Sequence, residues 1–312
     1  MIATVTLNPS LDEWMELPAL RVGELNRASG FARYPGGKGI NVSRVVHELG
    51  GKTVAFGLAG GADGLVLRML MNRLSIRHEF VEIGGLTRNN YKVRTLHPPA
   101  LTEINTAGPA VAHAALRALE RRLVTHRPRP RCAALSGSVP PGAPAAIYAR
   151  WVRLLKRLGI PAVVDASGPA LAHCLLARPW LIKPNRQEAE ELLRTRLTRM
   201  SQLVRGVQSL LHQGPAVIVL SLGRDGALLA CAEPSGVWVA HPPSVKAASA
   251  VGAGDSLVGG FLVGWMDGTP LLEAFRLGVA CGTATAMAPG TELCHRADVH
   301  RVLRRITIRR LV

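Results

Sequence analysis

Ala250-Val251-Gly252-Ala253-Gly254-Asp255-Ser256 leads directly into the apolar run Leu257-Val258-Gly259-Gly260-Phe261-Leu262-Val263. The run reads as a buried helix, and two glycines just before a helix let backbone N–H groups converge on one point. That point is the positive end of the helix dipole, which attracts anions. A carboxylate is a poor phosphate ligand. Asp255 at such a place suits a base that takes a proton from a hydroxyl while the N–H groups hold a transferring phosphoryl group. The competing reading is a tight strand-to-helix turn with Asp255 as its cap.

Upstream of this turn, strand-like runs fall at 2–7, 53–58, 133–136, 162–164, 180–182 and 216–220. Between them, 39–49, 64–73, 110–122, 144–158 and 201–211 repeat apolar residues at helical spacing. This alternation predicts an α/β fold: a doubly wound, mainly parallel sheet with helices on both faces. In such sheets ligands sit beyond the carboxyl ends of the strands. Two segments, about 12–34 and 86–105, break the pattern and alternate instead. They are expected to form a small antiparallel sheet, a lid or dimer contact on a single domain covering 1–312.

The chain has 312 residues, 48% of them hydrophobic, enough for a sizeable core and too many for disorder. No apolar run is long enough to cross a membrane, and the N-terminus reads as a core strand rather than a signal peptide. The 5 cysteines are scattered, odd in number and without a C-x-x-C pair, which argues against zinc or a disulfide framework and for the reducing cytoplasm. The net charge of +17 is carried mostly by scattered arginine, and aromatics are only 4%. Stacking platforms for nucleic acid are therefore scarce, and the charge reads as a solvated surface with no specific nucleic-acid partner.

Six further constellations carry chemistry. Asp12, in Thr6-Leu7-Asn8-Pro9-Ser10-Leu11-Asp12, is expected at the end of the first strand, where a carboxylate can hold sugar hydroxyls or form a turn. Pro35-Gly36-Gly37-Lys38-Gly39-Ile40-Asn41 resembles a phosphate cradle without the Walker spacing. Arg88, in Thr87-Arg88-Asn89-Asn90, could fork onto a phosphate or stay solvated. Ser136 opens Ser136-Gly137-Ser138-Val139-Pro140-Pro141-Gly142 after a strand. In Lys183-Pro184-Asn185-Arg186-Gln187-Glu188, the Asn185–Glu188 spacing suits Mg²⁺ held through water, and equally a capping box. Ser221-Leu222-Gly223-Arg224-Asp225-Gly226 could lie over nucleotide phosphates.

Taken in order, these motifs resemble those of the ribokinase-like, or PfkB, sugar kinases over essentially the whole chain. The match runs through T-L-N-P-S-L-D at 6–12, G-G-K-G-I-N-V-S-R at 36–44, T-R-N-N at 87–90 and L-S-G-S-V-P-P-G at 135–142. It continues through K-P-N-R-Q-E at 183–188, S-L-G-R-D-G at 221–226 and V-G-A-G-D-S at 251–256.

The resemblance implies a ribokinase-like fold with a β-sheet lid and transfer of the ATP γ-phosphate to a sugar hydroxyl. It implies Asp255 as base and Gly252, Ala253 and Gly254 as anion hole, with the helix dipole keeping Asp255 ionised. Asp12, Gly37 and Asn41 match sugar-hydroxyl binders. Lys38, Arg88 and Ser136 match the region holding the sugar's own phosphate, with Arg27 adding charge from the lid toward a partner subunit's site. Lys183, Asn185, Ser221, Gly223 and Gly226 match ATP positions, and Asn185 with Glu188 matches the element that orders Mg²⁺ through water. A homodimer through the lid is implied, as is K⁺ near Ser249.

Within the family, the N-terminal half looks like 1-phosphofructokinases and tagatose-6-phosphate kinases, and the C-terminal half like the minor 6-phosphofructokinase. That last branch commonly has a fourth glycine where this chain has Lys38. The favoured expectation is fructose 6-phosphate to fructose 1,6-bisphosphate. The alternatives are a 1-phosphofructokinase or tagatose-6-phosphate kinase and, more remotely, a noncatalytic sugar-phosphate or nucleic-acid binder.

Overall fold

The computed structural model describes all 312 residues. The chain opens with β1 (Ile2–Thr6), β2 (Ser10–Leu17), β3 (Gly30–Gly36), α1 (Lys38–Glu48), β4 (Thr53–Ala59), α2 (Gly61–Arg73) and β5 (His78–Glu82). Then come β6 (Arg88–Leu96), β7 (Pro99–Asn105), α3 (His113–Thr125), β8 (Cys132–Ser136), α4 (Ile147–Arg157), β9 (Ala162–Asp165) and α5 (Gly168–Ala177). The middle continues with β10 (Leu181–Ile182), α6 (Arg186–Leu193), α7 (Met200–His212), β11 (Val217–Ser221), β12 (Ala227–Cys231) and β13 (Gly236–His241). It closes with α8 (Ala253–Met266), α9 (Leu271–Met287), α10 (Arg296–Leu303) and β14 (Thr307–Arg310).

Ten strands form one sheet in the order β14-β13-β12-β11-β10-β9-β8-β1-β4-β5. From β11 to β5 every pair is parallel, while β12, β13 and β14 add an antiparallel edge. The parallel strands are apolar on both faces, as a doubly covered sheet requires. Ala3, Val5 and Leu7 enter one core layer with residues of α3 and α4; Ile2, Cys132, Ala134 and Val163 enter the other with residues of α1, α8 and α9. Every expected strand and helix is present. The helix expected from 110 begins at His113 and the one expected from 144 at Ile147. In the second case a turn closes first, with the Ile147 N–H on the Pro144 carbonyl.

Helix α8 is wedged between α1 and α9, and its glycines explain how. A Cβ on Gly259 would lie 2.7 Å from Val45 Cγ1, one on Gly260 2.5 Å from Cys281 Sγ, and one on Gly264 2.9 Å from the Ala274 Cα. A glycine inside a helix costs about 0.5–1 kcal/mol relative to alanine. Here it permits the close packing that fixes the N-terminus of α8 against α1.

The second sheet, in the order β3-β2-β6-β7, is the lid. It is mixed rather than antiparallel throughout: β2 and β6 pair parallel, with Asp12 opposite Asn90. A long connection through α1–β5 separates these strands, so no hairpin forces them antiparallel. Asp12 therefore sits in lid strand β2 rather than at the end of β1. The register puts Asp12, Tyr34 and Asn90 on one lid face, and Phe31, Tyr91 and Ile104 on the other, where all three are exposed. No helix is long and apolar enough to cross a membrane.

Candidate active site

The carboxyl edge of the main sheet gathers most of the polar residues singled out above. β8 ends at Ser136, β9 at Asp165 and β11 at Ser221, and Lys183 follows β10. In register, Thr6, Ser136 and Asp165 stand side by side across β1, β8 and β9. All three are buried, and Thr6 Oγ1, Ser136 Oγ and Asp165 Oδ2 each lack a protein partner. Buried polar atoms are nearly always paired, so an unpaired row at a sheet edge marks a place built for other chemistry.

Over this edge hangs the N-terminus of α8. Gly252 is its cap residue with φ +78°, a left-handed conformation suited to glycine. The N–H groups of Gly252, Gly254 and Asp255 have no protein acceptor, whereas the Ala253 N–H turns back to the Ala250 carbonyl at 3.3 Å. Ala253 thus contributes its backbone to the turn, and Gly252, Gly254 and Asp255 supply the free donors. Asp255 is buried, and its Oδ2 accepts a 2.8 Å hydrogen bond from Asn41 Nδ2. Arg44 Nη1 in turn donates to Asn41 Oδ1 at 3.2 Å, which fixes the amide's orientation.

Asp165 organises the charge beside this turn, and nothing in the sequence reading singled it out. Lys38 Nζ lies 2.9 Å and Lys183 Nζ 3.3 Å from the same oxygen, Asp165 Oδ1. Burial opposes the charge on Asp165, yet Lys183 and Lys38 hold its carboxyl below the ordinary value. The same pairing raises the Lys38 ammonium, against a burial cost. Asp255 goes the other way. Burial, then the Asp165 charge, push its pKa up to about 6, opposed by Lys38, Asn41 and Lys183. The helix dipole is expected to keep Asp255 ionised at neutral pH; with its pKa at about 6 the carboxyl is still mostly ionised there, and desolvation brings it close enough to neutrality to accept a proton. The signal that marks Asp165 is a charged residue closing the apolar run Ala162-Val163-Val164.

On the lid side, Asp12 Oδ1 accepts from Ser10 Oγ at 2.9 Å and Asn90 Nδ2 at 3.2 Å, which orients the carboxylate and leaves Oδ2 for a ligand. A Cβ on Gly36 would lie 2.5 Å from Asp12 Oδ1, so only glycine lets β3 cross there. Gly37, at φ +112°, would place a Cβ 2.7 Å from Thr6 Cγ2. Arg88 is engaged by backbone: Nε donates to the Asn8 carbonyl at 3.2 Å and Nη1 to the Thr106 carbonyl at 2.8 Å. Arg27 lies in the β2–β3 connection, exposed and with no side-chain partner.

On the far side, Asn185 and Glu188 form a complete capping box for α6. Asn185 Oδ1 accepts from the Glu188 N–H, and Glu188 Oε2 from the Asn185 N–H, both at 2.8 Å. Asn185 Nδ2 and Glu188 Oε1 are left over. That set fits water held on a magnesium ion rather than direct ligation, and no group of three acidic, histidine or cysteine side chains gathers as a metal cage. Ser221 Oγ reaches only the Pro184 carbonyl, at 3.5 Å. Gly223, at φ +62°, faces open space, whereas a Cβ on Gly226 would strike the Ala240 carbonyl oxygen, so Gly226 serves the turn. Ser249 is buried, and its Oγ accepts from the Val251 N–H at 3.2 Å.

Free N–H donors, two fixed ammonium groups and a carboxylate near pH 6 can together deprotonate a hydroxyl and stabilise a phosphoryl group in transfer. Comparison with known proteins agrees. Residues 5–298 match the family model described as pfkB family carbohydrate kinase. The chain is 37% identical over 311 residues to the 1-phosphofructokinase of Bacillus subtilis, covering 100% of both. It is 34% identical to the ATP-dependent 6-phosphofructokinase isozyme 2 of Mycobacterium tuberculosis, covering 96% of this chain and 88% of that one. Phosphofructokinase-2 from Escherichia coli, in its complex with potassium, superposes with a TM-score of 0.92 at 32% identity, covering 97% of this chain and 98% of that one.

Proposed function

This chain belongs to the pfkB family of carbohydrate kinases, and we propose that it transfers the γ-phosphate of ATP to a hydroxyl of a phosphorylated ketohexose. The observation that carries the reading is the Asp255 carboxylate, tied to Asn41 beside the free N–H groups of the α8 terminus. In the reaction, Asp255 takes the hydroxyl proton, the sugar oxygen bonds the γ-phosphorus, and the bond from that phosphorus to the ADP oxygen breaks. The Gly252 and Gly254 N–H groups receive the charge that develops on the phosphoryl oxygens.

Asp12, Gly37 and Asn41 hold and orient the sugar hydroxyls. Arg88, Ser136 and, from a partner's lid, Arg27 attend the phosphate the sugar carries. Lys183, Asn185, Ser221 and Gly223 line the ATP side, with Gly226 shaping the turn. Magnesium, bound through water at Asn185 and Glu188, would neutralise nucleotide phosphate charge. Potassium near Ser249 is supported by the potassium complex of the Escherichia coli relative. The exposed Phe31, Tyr91 and Ile104 face of the lid supports a homodimer.

The C-terminal motifs at 278–286 and 289–294, similar to those of the minor 6-phosphofructokinase, favour fructose 6-phosphate. The higher identity and full-length match to a 1-phosphofructokinase, and Lys38 in the glycine loop, support placing fructose 1-phosphate first. Fructose 6-phosphate stands second, on the 6-phosphofructokinase relative. Both acceptors give fructose 1,6-bisphosphate, so the acceptor itself must be varied. A coupled ADP-release assay with fructose 1-phosphate, fructose 6-phosphate and tagatose 6-phosphate should give the highest kcat/KM with the first, phosphorus NMR identifying each product. Turnover of a plain sugar or nucleoside with none of these would overturn the reading.

A further inference from the structure

Lys38 falls in the glycine loop that the sequence places with the sugar's own phosphate, but its ammonium points elsewhere. Its Nζ is bound at 2.9 Å to Asp165, a residue with no solvent exposure, on the same oxygen that holds Lys183. Lys183 Nζ in turn lies 3.3 Å from where a Gly254 Cβ would stand, alongside the α8 anion hole. The two ammonium groups therefore converge next to the free N–H donors. The charges of Asp255 and Glu188, the first beside the acceptor hydroxyl and the second on the nucleotide side, both act on Lys38. Arg88, by contrast, is anchored to the loops around the lid.

We infer that Lys38 is a catalytic residue acting on the transferring phosphoryl group, and that Asp165 is the positioning residue that keeps it there together with Lys183. The inference rests on the kinase reading above and deepens it. In a ketohexose phosphate the existing phosphate and the acceptor hydroxyl sit at opposite ends of the carbon chain. A lysine fixed at the reacting end cannot also hold the far phosphate. Lys38 gives and takes no proton in the step. The hydroxyl proton goes to Asp255, the new oxygen–phosphorus bond forms as the bond to ADP breaks, and the Lys38 charge offsets the charge accumulating on the γ-oxygens. Asp165 gathers both lysines before substrate arrives, so little reorganisation is needed when charge develops.

The test is the steady-state kinetics of Lys38→Met with the acceptor the wild type prefers. The expected result is a kcat lowered by roughly 10²-fold or more, with the sugar-phosphate KM changed less than about 3-fold, the signature of an interaction made only in the transition state. A sugar-phosphate KM raised by roughly 10-fold or more at unchanged kcat would place Lys38 on the sugar's phosphate and overturn the inference. Should Lys38→Met fail to fold, Lys38→Gln reads the same split. Calorimetric titration supplies a readout beyond activity. Lys38→Met and Asp165→Asn should both bind ADP like the wild type yet lose affinity for ADP with aluminium fluoride, a mimic of the transferring group. Equal binding of the fluoride complex by wild type and Asp165→Asn would remove Asp165 from the account. Failure of the kinase reading itself would show in the wild type, as no sugar phosphate turned over.

Discussion

Asn41 on α1 donates to Asp255 on α8 at 2.8 Å, so the first helix of the main domain sets the rotamer of a carboxylate more than two hundred residues later. The bond favours the ionised carboxylate, against the burial and the Asp165 charge that push its pKa up to about 6. Because the proposed base works deprotonated, kcat/KM, which reports the free enzyme, should be level above that pH and fall about tenfold per unit below it. Asn41→Ala removes a bond that favours ionisation. The acid limb of the kcat/KM–pH profile should then move to higher pH and the plateau should drop. An acid limb that stays in place would detach Asn41 from the titration of the base.

Gly36 tests how the lid presents its carboxylate. In Gly36→Ala the new methyl would sit 2.5 Å from Asp12 Oδ1, and either β3 or Asp12 must give way. A displacement near 1 Å at a positioning group can cost roughly 10²-fold in rate. We expect a loss of that order in kcat/KM for the sugar phosphate, with the KM for ATP close to wild type. Equal losses for both substrates would show a general distortion instead.

Asn185 carries two roles that can be measured apart. Its cap on α6 predicts that Asn185→Ala lowers stability by about 1 kcal/mol in urea unfolding without magnesium. Asn185→Asp keeps the cap acceptor and brings a carboxylate to the metal side, so it should retain stability while changing the magnesium concentration for half-maximal rate. Unchanged magnesium dependence in both variants would leave Asn185 as a cap alone.

Much of this was legible in the sequence because the elements are locally encoded. Apolar runs closed by glycine or small polar residues fixed the strands, and 3.6-residue spacing fixed α1, α4 and α7. The Gly252–Asp255 turn announced itself by composition. What stayed hidden depends on distance. Asp165 closes a short strand, and its partners Lys38 and Lys183 come from other loops, so no local pattern joins the three. The parallel pairing of β2 with β6 was likewise invisible, since alternation defines a strand's faces and not its neighbour. The upward shift of Asp255 was hidden too, because its burial appears only once α1, α8 and the sheet close together.

The lid's outer face carries the dimer proposal. Phe31 is 62% and Ile104 54% exposed on a sheet whose opposite face holds Asp12. Phe31→Asp should convert the dimer to a monomer in sedimentation velocity. If Arg27 serves a partner's site, the monomer's sugar-phosphate KM should rise as well. A monomeric wild type would contradict the proposal outright.

The central claim is that Asp255 is the base for phosphoryl transfer, and Asp255→Asn tests it most directly. The amide keeps a bonding partner for Asn41 and the size of the side chain, and removes the negative charge together with the ability to take a proton. Measured with saturating ATP and sugar phosphate, kcat should fall by roughly 10²–10⁴-fold while both substrates still bind in calorimetry. A kcat within a few-fold of the wild type would contradict the account.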